Sequence, residues 1–155
     1  MIAAALRGWI VTGAARVVVG RVVPVRKVMK KKVVRISADD TLWIVKEIMD
    51  LGSVRHIPVV NRGELVGVVS QRDLLRASLS NVMGISAEEQ KVFLEGVRIS
   101  EVMSSPPRTI GPDQTMQDAA RAMAEYKIGC LPVCEGKEIV GILTETDVLR
   151  YFASL

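Results

Sequence analysis

Gly67-Val68-Val69-Ser70-Gln71-Arg72-Asp73 and, 74 residues further on, Gly141-Ile142-Leu143-Thr144-Glu145-Thr146-Asp147 are one motif written twice. Each is an apolar run of strand length that ends on a hydroxyl residue, with a carboxylate three positions later. A hydroxyl at a helix start accepts from a free backbone N–H, and the acid reaches back to the N–H of the hydroxyl residue. Each copy therefore reads as a strand that runs directly into a helix.

Working outward, the same 74-residue shift aligns positions 28–76 with 102–150 without a gap, and 14 of the 49 pairs are identical. Val28/Val102, Met29/Met103, Ile36/Ile110, Asp39/Asp113, Thr41/Thr115, Met49/Met123, Pro58/Pro132 and Gly67/Gly141 are among them. Self-similarity at a fixed period marks one supersecondary unit used twice. A unit of about 50 residues buries too little surface to be stable alone, so two copies are expected to cover each other.

Each copy predicts a short first strand (Val33–Ile36; Arg108–Ile110) and then a helix opening at Asp39-Asp40-Thr41 or Asp113-Gln114-Thr115. Leu42, Val45, Ile48 and Met49 fall at helical spacing before Gly52, and Met116, Ala119, Ala120, Met123 and Tyr126 keep that phase. Two strands follow, Ile57–Val60 and Leu65–Val69, or Leu131–Cys134 and Ile139–Leu143, and then the helix of the opening motif. Ser86 is expected to cap a further helix at Ala87–Leu94. Val97–Glu101 echoes Val23–Lys27. The fold class is α/β (α+β), built from two βαββα repeats. The organisation is a basic arm at 1–22, a first repeat at 23–80, a linker helix region at 81–96 and a second repeat at 97–155.

Charge narrows the function. Residues 1–38 carry nine Lys/Arg and no acid, whereas the rest carries twelve basic and seventeen acidic side chains. A nucleic-acid-binding domain would concentrate positive charge on its folded body, and here the body is mildly acidic. Arg7, Arg16 and Arg21 interrupt the apolar residues of the arm, so no membrane span is expected. Lys30-Lys31-Lys32 reads as a solvated turn. Cys130 and Cys134, about 13 Å apart if extended, are too distant for a disulfide and read as small core residues in a reducing compartment, which places the protein in the cytoplasm. No GxxxxGKS, GxGxxG or HExxH motif is present and no Cys/His cluster has metal spacing, so neither an enzyme nor a metal site is expected.

The repeated elements resemble the tandem cystathionine-β-synthase (CBS) domain pair, or Bateman module. The resemblance rests on Val28-Met29 and Val102-Met103, the Asp-x-Thr helix starts, Ile57-Pro58-Val59-Val60 and Leu131-Pro132-Val133, and the two opening motifs. It covers about residues 23–152. It implies two units packed sheet to sheet about a pseudo-twofold axis, with two clefts between them that take adenosine-containing ligands: AMP, ADP, ATP or S-adenosylmethionine. It also implies a homodimer that regulates an attached or separate protein partner. The dimer surface is expected from apolar residues left on the helices (Leu42, Trp43, Met49; Met116, Met123).

The resemblance further implies that the Asp of the opening motif holds the ribose and the Ser/Thr lies near phosphate. That selects Ser70 and Asp73 for one site, and Thr144 and Asp147 for a second, weaker one. The bland reading of the same pairs is a helix cap, and the two roles are compatible, because a helix start presents free N–H groups to an anion. Arg55 and His56 precede the strand proline in the first copy and, with Arg72, could line a phosphate site. The second copy has Gly129-Cys130 there, without charge. Adenine is expected against aliphatic side chains and backbone near Val54–Ile57 or Ile128–Leu131, which brings in Ile128 and Cys130. The rival readings are a structural dimerisation module with vacant clefts, and a nucleic-acid or membrane-surface adaptor working through the arm.

Overall fold

The computed structural model describes residues 22–79 and 84–155. The arm expected at 1–22 therefore lies outside the described residues except for Val22. The chain forms two compact units, each with its own core. One holds Lys32–Arg108 with Gly136–Ile139; the other joins residues up to Lys31 to Thr109–Glu135 and Val140–Leu155.

In the first unit β1 (Ile36–Ser37) pairs parallel with β2 (His56–Asn61), which pairs antiparallel with β3 (Glu64–Ser70). The β2–β3 hairpin turns through Arg62 and Gly63, both at positive φ (50° and 84°), as a two-residue turn that matches strand twist requires. Helices α1 (Leu42–Leu51), α2 (Gln71–Leu79) and α3 (Ala87–Gly96) complete the unit. Its core gathers Leu42, Val45, Ile57, Val59, Val69, Leu94 and Ile99, all without solvent exposure. Removing each such side chain from water is worth about 1.5–3 kcal/mol. Ser86 caps α3 as its sequence requires, accepting from Glu89 N–H while the Glu89 carboxylate returns to Ser86 N–H.

The second unit contains α4 (Met116–Tyr126), the strand β4 (Cys130–Glu135), its partner β5 (Glu138–Thr144) from Val140 onward, and α5 (Glu145–Ala153). Thr115 caps α4 with Asp118 as its reciprocal partner. Val25, Met116, Ala119, Leu131, Val133 and Leu143 form the centre of the core.

The first strand of each copy is shorter than its sequence suggests. Val33–Ile36 contracts to the two-residue β1, and Arg108–Ile110 to a single parallel bridge between Ile110 and Val133. Proline is the reason. Ile110 N–H donates to Pro132 C=O (3.1 Å) and Cys134 N–H to Ile110 C=O (3.0 Å). The next rung would need an N–H from Pro132 for the Arg108 carbonyl, and proline has none. Pro58 occupies the same place beside β1.

The compact units are grouped in space and are not the sequence repeats themselves. The lead-in of each repeat completes the unit that houses the body of the other. Val25 N–H donates to Gln114 C=O (2.8 Å), Arg26 N–H to Pro112 C=O (2.9 Å) and Met116 N–H to Val23 C=O (2.9 Å). Shifted by 74 residues, Ile99 N–H donates to Asp40 C=O (2.9 Å), Ser100 N–H to Ala38 C=O (3.1 Å) and Leu42 N–H to Val97 C=O (2.9 Å). Short 3-10 turns at Val25–Lys27 and Ile99–Glu101 carry these bonds. Val25 and Ile99, both fully buried, anchor them.

The helical residues expected to form a dimer surface are mostly core. Leu42 and Met116 are fully buried and Met123 is 7% exposed; Trp43 and Met49 are partly buried against the first core. The apolar residues left in solvent on α1 and α4 are Ile44, Leu51 and Tyr126 instead.

Candidate functional site

Each opening motif folds into a strand–helix junction closed by its own side chains. In the first unit, Oδ2 of Asp73 accepts from Ser70 N–H (2.7 Å) and from Ser70 Oγ–H (2.6 Å), and Asp73 N–H donates to Ser70 Oγ (3.3 Å). In the second, Oδ2 of Asp147 accepts from Thr144 N–H (3.0 Å) and Oγ1–H (2.5 Å), with Asp147 N–H returning to Oγ1 (3.4 Å). The capping reading is thus correct for both motifs. It does not exhaust the carboxylate, because a carboxylate has two oxygens and the cap engages one.

The residues before each strand proline come to the same junction. Gln71 N–H donates to Arg55 C=O (2.9 Å) and Glu145 N–H to Gly129 C=O (3.0 Å); His56 stands opposite Ser70 in the β2–β3 ladder. The first junction therefore assembles Arg55, His56, Ser70 and Asp73 in one unit, with Arg72 exposed on the first turn of α2. The second assembles Gly129, Cys130, Thr144 and Asp147. Ile128, half-buried against the second core, adjoins it. Burial first, and the nearby Asp147 carboxylate second, push the Cys130 thiol up to about 12. It stays protonated at neutral pH, and a protonated thiol is neither a nucleophile nor a metal ligand.

Residues 25–80 and 99–154 each match the CBS domain. The chain belongs to the CBS domain family. An uncharacterised protein of Methanocaldococcus jannaschii is 32% identical over 84% of this chain, which spans only 32% of that relative's length. Among solved structures, the CBS domain pair of protein MJ0100, in complex with 5'-methylthioadenosine and S-adenosyl-L-methionine, shares the fold (TM-score 0.73, 24% identity, 86% of this chain and 98% of that one). CBSX2 in complex with AMP has a TM-score of 0.71 at 25% identity, covering 85% of this chain and 97% of that one.

The two CBS junctions differ in one contact that the sequence reading missed. Lys30, taken for part of a solvated turn, places Nζ 3.2 Å from Oδ1 of Asp147. The lead-in puts it there: Lys30 N–H donates to Ile142 C=O and Ile142 N–H to Lys30 C=O, both at 2.9 Å. The equivalent lead-in residue in the other unit is Ser104, paired with Val68 in the same way (2.9 and 3.1 Å), so no ammonium reaches Asp73 from that position. The available signal was the Lys30/Ser104 mismatch directly after the identical Val-Met pairs. Trp43 packs against the first core, and Lys46 and Lys91 stand over its ring, 5.3 and 5.7 Å from the centroid.

Burial of Asp147 works to raise its carboxyl, but the Thr144 hydroxyl and amide, with the Lys30 ammonium, outweigh it and hold it below the usual range. A group depressed in the folded state contributes stability that is complete above its unfolded value, about 3.9, and is lost as pH falls through the folded value. Asp147→Asn should therefore flatten the acid limb of the unfolding profile below about pH 4, measured by urea midpoints, and lower stability at pH 7. An unchanged acid limb would show that the pair contributes nothing.

Among the described residues no group of His, Cys, Asp and Glu could hold a metal ion, and no helix is long and apolar enough to cross a membrane.

Proposed function

We propose that this CBS pair is a regulatory sensor, not an enzyme, that binds an adenosine-containing ligand at the Ser70–Asp73 junction. The observation that carries the reading is the disposition of Asp73. One oxygen closes the cap, while among the described residues the other has no hydrogen-bond partner, at the start of a helix flanked by the Arg55-His56 backbone. A ribose hydroxyl can donate to that oxygen. The positive end of the α2 dipole, with Arg55, His56 and Arg72, supplies an anion-binding environment for phosphate. The AMP complex of CBSX2 supports a nucleotide of this kind. AMP, ADP, ATP and S-adenosylmethionine remain the candidate ligands, and a ligand-dependent change in a protein partner is the expected output.

A thermal-shift panel of those four compounds and adenosine tests this. A ligand that binds only the folded chain at 100 times its Kd adds about 2.7 kcal/mol to stability, a rise of several degrees at this chain length. No shift with any of the five at millimolar concentration would favour a structural module with vacant sites.

We further propose that the chain is a homodimer through its helices, on which Ile44 and Leu51 of α1 leave apolar surface exposed. Light scattering at micromolar concentration should give twice the chain mass. Leu51→Lys, at a residue 88% exposed, should shift the chain toward monomer without unfolding it; a monomeric parent would overturn the proposal.

A further inference from the structure

We infer that Lys30 is a built-in plug that closes the second CBS junction to ribose, so that the chain takes up one adenosine-containing ligand rather than two. The inference rests on the ribose reading of the Ser/Thr-x-x-Asp pair. Its own basis is the asymmetry between two otherwise equivalent junctions.

At Asp147 both carboxylate oxygens are engaged, Oδ2 by Thr144 and Oδ1 by Lys30. The Asp147 side chain is only 8% exposed, and the ammonium lies 3.2 Å from its Oδ1. A ribose hydroxyl would have to displace a cation from a nearly buried carboxylate, exchanging a charged donor for a neutral one. Hydrogen bonds from charged groups are the stronger kind. The Lys30 backbone is pinned by both bonds to Ile142, so the ammonium is tethered beside its partner and competes as an intramolecular ligand. Among the described residues no ammonium reaches Asp73 from the equivalent lead-in place, which Ser104 holds. The absence of charge at Gly129-Cys130 points the same way: with no Arg or His at those two positions, phosphate gains less there to offset the loss of the ion pair.

The lysine side chain is 57% exposed, so replacing it should leave the fold intact. Lys30→Ser reproduces the residue of the open junction, and Lys30→Met keeps most of the aliphatic stem without charge. AMP and adenosine are titrated by calorimetry into the parent, Asp73→Asn, Lys30→Ser, and the Asp73→Asn/Lys30→Ser double variant. The parent should bind one AMP, Asp73→Asn should lose it, and Lys30→Ser should bind two. The double variant should bind one, at an affinity at least tenfold above any uptake by Asp73→Asn alone, and Lys30→Met should behave like Lys30→Ser. A parent that binds one AMP while neither Lys30 variant gains a second overturns the plug and leaves the Asp73 site standing. Weaker binding in the Lys30 variants would make Lys30 a phosphate ligand and also overturn it. A silent parent with a binding Lys30→Ser variant would remove the Asp73 reading and sustain the plug; silence in all four would remove both.

Discussion

Gly67→Ala is expected to destabilise the chain by about 2–3 kcal/mol, within the range for overpacking a filled interior. A methyl at that position would lie 2.6 Å from Met103 Sδ and 2.9 Å from the Ser104 carbonyl oxygen. The sulfur belongs to a flexible side chain and can swing aside. The carbonyl cannot, because the Ser104–Val68 pair of backbone bonds (2.9 and 3.1 Å) holds that strand against β3. Met103→Ala in the same chain should therefore restore only part of the loss, and the two changes should be non-additive. Gly141→Ala meets the same arrangement in the other unit, with Met29 Sδ at 2.5 Å and Lys30 O at 3.1 Å. Gly96→Ala, with nothing within 4 Å, is the control and should change stability by less than about 0.5 kcal/mol. Urea unfolding measures all four. If Gly67→Ala matches Gly96→Ala, the lead-in does not press on β3 as described.

Asp73→Ala is expected to weaken AMP and adenosine binding at least tenfold. The carboxylate–hydroxyl bond it removes is charge-assisted and worth roughly 1.5–3 kcal/mol, where about 1.4 kcal/mol is a factor of ten. The cap is lost as well, at about 1 kcal/mol of folding stability, so melting must be checked below the working temperature. Asp73→Asn separates the effects, because the amide oxygen can still accept at the cap while the charge is gone. Arg55→Ala should weaken AMP but leave adenosine nearly unchanged, since only AMP carries phosphate.

The repeat made most of the fold legible. A gapless shift of 74 residues located the four long strands and the helix starts of both copies within about two residues, and the Ser86 cap located α3, because periodicity and capping chemistry are local. The exchange of lead-ins was not legible. Val25 and Ile99 present equivalent apolar anchors and Asp40 and Gln114 equivalent carbonyls, so either pairing satisfies the same hydrophobic and hydrogen-bonding demands. The short first strands were overestimated because β-branched residues such as Val33 and Val34 favour strand locally, whereas the limit is set by a proline on the neighbouring strand. Ser70, Asp73, Thr144 and Asp147 were readable from spacing as capping residues, whereas their ligand roles came only from the family resemblance. Lys30 was not, because three consecutive lysines read as solvent-facing charge until the lead-in brings one of them onto a carboxylate 117 positions away.

The most direct test of nucleotide sensing is an amide NMR titration of the full chain with AMP. The strongest saturable shifts should fall on the backbone N–H groups of Arg55, His56 and Ser70 to Asp73, and Asp73→Asn should abolish them. Saturable shifts confined to other residues, or no shifts at millimolar AMP, would contradict it.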